Sequence, residues 1–480
     1  MGCARHGPLA AARPLEMIVA NDPETLDPRF ATDAVGLRVT RLIHAGLVRL
    51  DPDTLDPRPY LASGWRWVDS RTLAVDLRSD VRFHSGAPLR AGDVAATLRA
   101  LASPTVGSRH ASVVEAIEEA SEDGDLRVVV RLAHAHATLL TDLELPVLRA
   151  DQAFSPPTPD GTLDGLGPYA VARFERGEVL LVPAEGGALP RPAHAVSLRT
   201  VHDENARALR LQAGRADVGL NVVSPMLLPA LEGRSGLEVV SRPGANLTYI
   251  VVQHERSPLG DSRIRQALSL AVDRETIAKT LFDGRAHPAG GLIAPANWAH
   301  IETPRLAFDP PAARKLLAGG AVERRLTLLA STDRLRGDVA RFVAQEFGDV
   351  GVLADVVQLE LGTMIARLNA GDFDLALLTI PEMTEPNVLR HFLHGSFVPP
   401  KGANRGRVHD AALDMLLDEG EQTAEPEARR QIYARFEARE RETMHILPLW
   451  YEDQVAITGP RARTFIPSAE GRWLGLASIP

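Results

Sequence analysis

The sequence predicts a mixed α/β protein built from more than one substructure, one of them a small α+β subdomain. Three observations carry this. A chain of 480 residues exceeds the roughly 250–300 residues that a single hydrophobic core serves. The first structured stretch reads as strand then helix. Leu15 to Val19 is an apolar run, Asn21-Asp22-Pro23 and Leu26-Asp27-Pro28 are turn punctuation, and Val35, Val39, Leu42 and Ile43 recur at helical spacing within 35–47. Between Trp65 and Leu132, two alternating apolar and polar patterns with turns at Asp69-Ser70 and Asp123-Gly124 flank a helix. That helix starts at Asp93, carries Val94, Thr97, Leu98 and Leu101 on one face, and is stopped by Pro104.

Further along, Asp261 and Asp273 are placed to cap successive helices, the second ended by Gly284. Asp309-Pro310 reads as a cap followed by proline at the first helical position. Glu427 to Met444 carries Ile432, Phe436 and Met444 on one stripe. Residues 1–14 are rich in Ala, Arg and Pro without periodicity, the composition of a flexible tether.

Composition narrows the function classes. The net charge of -9 argues against a surface that neutralises phosphates, so nucleic acid is not expected as a partner. No apolar run reaches the roughly 18 residues a membrane-spanning helix needs. Cys3 is the single cysteine, which excludes an intrachain disulfide and a cysteine-based zinc site. Gly2-Cys3 looks like the end of a bacterial lipobox, although only Met1 precedes it. A lipidated cysteine and a chance dipeptide both stay open.

Six segments resemble one family. They are Phe83 to Leu98, Gly165-Leu166-Gly167-Pro168-Tyr169, Leu211 to Val218 with Gly214 and Asp217, Asp261 to Arg274, Asp309 to Leu317, and Ile446 to Tyr451. In this order and at these separations they look like the bacterial extracellular solute-binding proteins of family five, the dipeptide-, oligopeptide- and nickel-binding group. The resemblance runs from Leu15 to the C-terminus. It implies a two-lobed periplasmic-binding-protein fold of the class II type, with lobe I from 15–45, 170–244 and 451–480, an α+β subdomain at 46–169, and lobe II at 245–450. The chain crosses between lobes near Ser241 to Ala245 and Trp450 to Asp453. The implied activity is capture of a small solute, such as a short peptide, by hinge closure and its delivery to ABC permease subunits. A monomer outside the cytoplasm, periplasmic or anchored through Cys3, goes with that activity.

The same resemblance places the ligand site. The ammonium end of a peptide, dehydrated in a cleft, needs an anion because an unpaired buried charge is costly. The family supplies an Asp after a Trp, between a Phe-Asp strand and an acidic-Pro step. Here Phe373 to Leu378 is that strand and Glu385-Pro386 that step, which puts Glu382 at the carboxylate and Thr379 or Ile380 where the Trp would stand. The missing Trp and the longer Glu put a plain dipeptide ligand in doubt. Asn404 lies in the Gly-rich loop 402–407, where Arg405 or Arg407 could meet a ligand carboxylate bidentately. Glu382 and Arg405 also read as solvated loop charges. The rest of the sequence offers little chemistry. His391 and His394 share a helical face at i, i+3, and His134-Ala135-His136 alternates along a strand, but no metal site or cofactor is expected from either. G-x-S-x-G, H-E-x-x-H and Walker patterns are absent, so no enzyme is expected. A hydrolase or other enzyme using the same cleft, or a binder of metal or haem, is the alternative.

Overall fold

The computed structural model describes residues 13–318, 322 and 324–480; Cys3 lies outside them. Its spine is an eleven-stranded mixed sheet. The strand order is Ala354–Leu359, Leu326–Ser331, Leu375–Ile380, Glu238–Val252, Ile446–Thr458, Val218–Leu220, Leu15–Val19, Val196–Thr200, Glu178–Pro183 and Tyr169–Glu175, with Ala286–Pro288 paired to Ile446–Thr458 off this path. Leu15–Val19 runs parallel to both neighbours, as does Leu326–Ser331, and helices connect these strands.

The two longest strands, Glu238–Val252 and Ile446–Thr458, run through both halves of the sheet and join the lobes. Their antiparallel register slips in the middle. Arg242 faces Gln454 and Asn246 faces Glu452, so Pro243, Gly244 and Ala245 oppose Asp453 alone. A Cβ on Gly244 would lie 2.4 Å from the Glu452 carbonyl oxygen, so this close crossing requires glycine.

Alternation along the strands decides which core each side chain joins. Ile250 and Val252 pack with Leu326, Leu328 and the helices Ser262–Leu270 and Arg334–Asp349, whereas Leu247, Tyr249 and Val251 face Leu413, Leu417 and Phe436. In the other half, Leu15, Met17 and Val19 bury against Leu42, Tyr169 and Trp473. A separate core holds a four-stranded sheet, ordered Ala62–Asp69, Thr72–Leu77, Arg127–Leu132 and Ile117–Glu122, against the helix Ala91–Ala102.

Most expected element ends lie where the caps put them. Asp261, Asp273 and Asp309 each accept a backbone N–H at the head of their helices. Two expectations need correcting. The first helix is Ala34–Ile43 and stops short of Leu47, because His44 turns extended. The subdomain helix begins at Ala91, ahead of Asp93, whose carboxylate accepts from the backbone N–H of Arg90 and of Ala150. The Gly-rich turn before Tyr169 also has a steric cause. A Cβ on Gly165 or Gly167 would meet the carbonyl oxygens of Ile43 and Leu42 at 2.2 and 2.4 Å. Gly214 adopts a left-handed φ of 63° after the helix Glu204–Gln212, and Asp217 then accepts from Glu16 N–H at 2.8 Å, which docks the first strand.

Candidate functional site

A cavity of about 860 Å³ lies between the lobes and is walled by both. That is within the range of small-ligand sites, about 300–1,000 Å³. Lobe I and its subdomain contribute Leu37 and Arg41 from the first helix, Arg472 from the C-terminal segment, and the stretch from His134 to Leu145. The opposite wall comes from the segment after the strand Leu375–Ile380, with Glu382, Thr384, Glu385 and Val388, and from Arg390, His391 and Glu421 further on.

Basic groups line both walls, Arg41 and Arg472 on lobe I and Arg390 and Lys401 on lobe II. Arg472 and Arg41 share Glu144, the latter at 3.8 Å, and Arg38 stands on the same helix as Arg41. Burial, and then the positive charges of Arg41 and Arg38, pull the pKa of Arg472 well below its ordinary value. Burial lowers Arg41 too, against the pull of Glu382 and Glu470. Glu470, buried behind them, is pushed up to about 7 chiefly by desolvation.

Carboxylates stand on both walls, Glu115, Asp142 and Glu144 on lobe I and its subdomain and Glu382, Glu385 and Glu421 on lobe II. Glu382 follows the strand in a left-handed conformation, φ 46°, which is costly for a residue with a Cβ. It is held there by the register slip between the lobes. Its N–H donates to Asn246 Oδ1 at 2.8 Å, and Met383 N–H donates to the Ala245 carbonyl at 3.0 Å. Glu382 Oε1 accepts from Arg38 Nη2 across the cleft at 2.5 Å. Glu385 accepts from Arg429 Nη2 at 2.6 Å and from Thr141 Oγ1 at 3.4 Å, the second another cross-cleft contact.

A third contact closes the rim. Ala137 N–H donates to the Glu421 carbonyl at 2.7 Å, and His136 lies between Asp142 and Glu421, with Nε2 3.3 Å from Asp142 Oδ2 and Nδ1 3.4 Å from Glu421 Oε1. Burial disfavours its proton, yet the two carboxylates push its pKa up to about 9. Three cross-cleft contacts describe a closed arrangement of the lobes.

Of the five residues singled out from the sequence, Glu382 lines the cavity and the other four do not. Thr379 points its hydroxyl at Thr248 Oγ1, 2.9 Å away, in a network that continues to Glu452 and Arg336. Ile380 is packed in the lobe II core. Asn404 is fully buried and pins its own loop, donating to the carbonyls of His394 and Val408 and accepting from Val408 N–H. Arg405 donates to Asn369 Oδ1 at 2.9 Å on the outside. His391 lines the cavity, whereas His394 is buried and accepts from Ser396 N–H, so the pair shares no site. Arg41, Arg472, Glu385 and Glu421 were not singled out. The acidic-Pro step was the one sequence signal that pointed at Glu385.

A two-lobed α/β scaffold with a charged cavity at the lobe boundary is the arrangement expected of a solute-binding protein. The comparisons with known proteins agree. The family model for bacterial extracellular solute-binding proteins, family 5 (middle), matches residues 56–396, and the chain belongs to that family. The probable di/tripeptide-binding protein 5 of Pseudomonas aeruginosa is 26% identical over 468 residues, covering 89% of this chain and 88% of the relative. The glutathione-binding protein GsiB of Salmonella typhimurium is 27% identical, covering 75% and 72%. Among solved structures, the ABC transporter substrate-binding protein CtaP of Listeria monocytogenes superposes with a TM-score of 0.87 at 21% identity, covering 96% and 98%. The oligopeptide-binding protein AppA of Bacillus subtilis, solved with a nonapeptide, gives 0.77 at 19% identity, covering 97% and 99%. The role of the chain is solute binding in import. Its family consists of extracellular substrate-binding proteins, not enzymes, that work with ABC permeases. No helix among the described residues is long and apolar enough to cross a membrane.

Proposed function

We propose that this chain is a monomeric, non-enzymatic binding component of an ABC importer that closes around a short peptide or a peptide-like zwitterion. One observation carries the reading: the cavity between the lobes sets Arg41 and Arg472 on the lobe I wall opposite Glu382 and Glu385 on the lobe II wall. A zwitterion satisfies both walls at once, its carboxylate toward Arg41 and Arg472 and its ammonium toward Glu382 and Glu385. A neutral sugar satisfies neither. The peptide- and glutathione-binding relatives support the same class.

Closure would bring Arg38 onto Glu382, and the closed form is the one the permease subunits distinguish. An extracytoplasmic, periplasmic location belongs to this reading, with Cys3 as the lipid attachment point. The chain as a whole is tested by thermal unfolding against peptides, sugars, nickel and haem. A zwitterionic peptide at a hundred times its dissociation constant should stabilise the protein by about 2.7 kcal/mol. A flat response to every peptide, together with turnover in a hydrolysis assay, would replace the binding reading with an enzymatic one.

A further inference from the structure

We propose that His134, His136 and Glu421 form a divalent transition-metal site that clasps the two lobes at the rim of the cleft. Each of the three offers one ligand atom, and these atoms all lie within 4.8 Å of one another. Ligands about 2.0–2.2 Å from a tetrahedral metal stand roughly 3.4 Å apart. Small side-chain rotations therefore complete the set, and His134 is exposed enough to make the largest of them.

A second observation points to the same spot. His136 Nδ1 is buried, and its acidic neighbour across the cleft, Glu421 Oε1 at 3.4 Å, is an ion-pair contact without the alignment of a hydrogen bond, so a metal there takes the place of the ring's proton. The ring's other nitrogen, Nε2, faces Asp142 Oδ2 and Thr138 Oγ1 at 3.3 and 2.8 Å. A carboxylate behind a histidine on the side away from the metal fixes the tautomer and strengthens the ligand. Two imidazoles and one carboxylate suit zinc, nickel or cobalt(II) rather than magnesium or calcium, which prefer oxygen.

The geometry also explains how a clasp would work. His134 and His136 belong to the lobe I subdomain and Glu421 to the helix Ala411–Gln422 of lobe II, so the coordination set is complete only when the cleft is shut. Arg390 Nε lies 3.2 Å from Glu421 Oε2. It occupies one carboxylate oxygen and leaves Oε1 for the metal.

The test is titration of the full chain with zinc, and with cobalt(II) followed by its visible d–d absorption, in wild type and in His134→Ala, Glu421→Gln and Arg390→Gln, with circular dichroism to confirm folding. One equivalent should bind to wild type. Removing a ligand from either lobe, His134→Ala or Glu421→Gln, should weaken affinity about tenfold or more, and Arg390→Gln should tighten it. The proposal is overturned if wild type shows no saturable binding, or if either ligand variant binds as tightly as wild type. A loss confined to one lobe's variant removes the clasp. Peptide binding by a metal-free chain leaves the solute-binding reading standing whichever way these titrations fall.

Discussion

Replacing Glu382 by Gln separates two roles the structure gives this residue. Its carboxylate closes the cleft through Arg38 Nη2 at 2.5 Å, with side chains 20% and 26% exposed. Hydrogen bonds between charged groups contribute about 1.5–3 kcal/mol and exposed ion pairs about 0.2–1. Partial exposure puts this pair between them, at about 1–2 kcal/mol. The pair spans the lobes, so that energy favours the closed form alone, and its loss should weaken every ligand by roughly five- to thirtyfold. A ligand whose ammonium rests on Glu382 should lose more. The assay is calorimetric titration of wild type and E382Q with one peptide carrying a free amine and the same peptide N-acetylated. The expected result is a loss for both that is at least about tenfold larger for the free amine. Equal losses would leave Glu382 a latch and remove it from ammonium recognition, and unchanged affinity for both would refute the latch as well.

Three further outcomes follow from the packing. His44 is buried with neither ring nitrogen hydrogen-bonded, and desolvation pushes its pKa down to about 3. The folded chain excludes a proton that the unfolded chain takes up below about 6.5, so this site's stability is complete above that pH and is lost at about 1.4 kcal/mol per unit as pH falls. Denaturant titrations from pH 7 to 4 should therefore show a shallower decline in His44→Leu than in wild type, and parallel curves would contradict the assignment. Gly167→Ala drives a Cβ into the Leu42 carbonyl. It should cost roughly 2–3 kcal/mol of unfolding free energy in guanidinium, at the upper end for overpacking, whereas a loss below about 0.5 would mean that the turn can shift. Burial opposes ionisation of Glu452, but Arg336, at 2.5 and 2.9 Å, holds its carboxyl below the usual range, and Thr248 and Trp450 also donate to it. Breaking that pair with Glu452→Gln should destabilise the chain by about 2–3 kcal/mol, discounted from the 3–5 of a fully buried pair. A midpoint equal to wild type would show the pair to be inert.

Local chemistry made much of the fold legible. Asp261, Asp273 and Asp309-Pro310 mark their helix starts because a short acidic side chain there satisfies free N–H groups. The two hairpins of the subdomain announce themselves by alternation and turn residues. Asp93 misled for a physical reason. The same carboxylate that caps a helix from its first position can reach back from inside the first turn, as it does to Arg90 N–H.

The site was harder to see. Its walls come from stretches as far apart as Arg41 and Arg472, and no spacing in the chain signals such a meeting. Glu382 could be placed by resemblance because its strand and acidic-Pro step are local. Asn404 could not be told from a ligand contact, since an amide that ties its own loop together looks the same in sequence as one that faces a cleft. His134 and His136 gain meaning only from Glu421, which lies far along the chain on the other lobe.

The account stands most directly on the cavity between the lobes. Thr384 lines it and is not fully buried, so Thr384→Trp fills the cleft without opening a core. Calorimetric titration with the peptide that most stabilises wild type in the thermal screen should give one site per chain in wild type and no detectable binding in a folded T384W. Undiminished binding by T384W would place the ligand elsewhere and contradict the account.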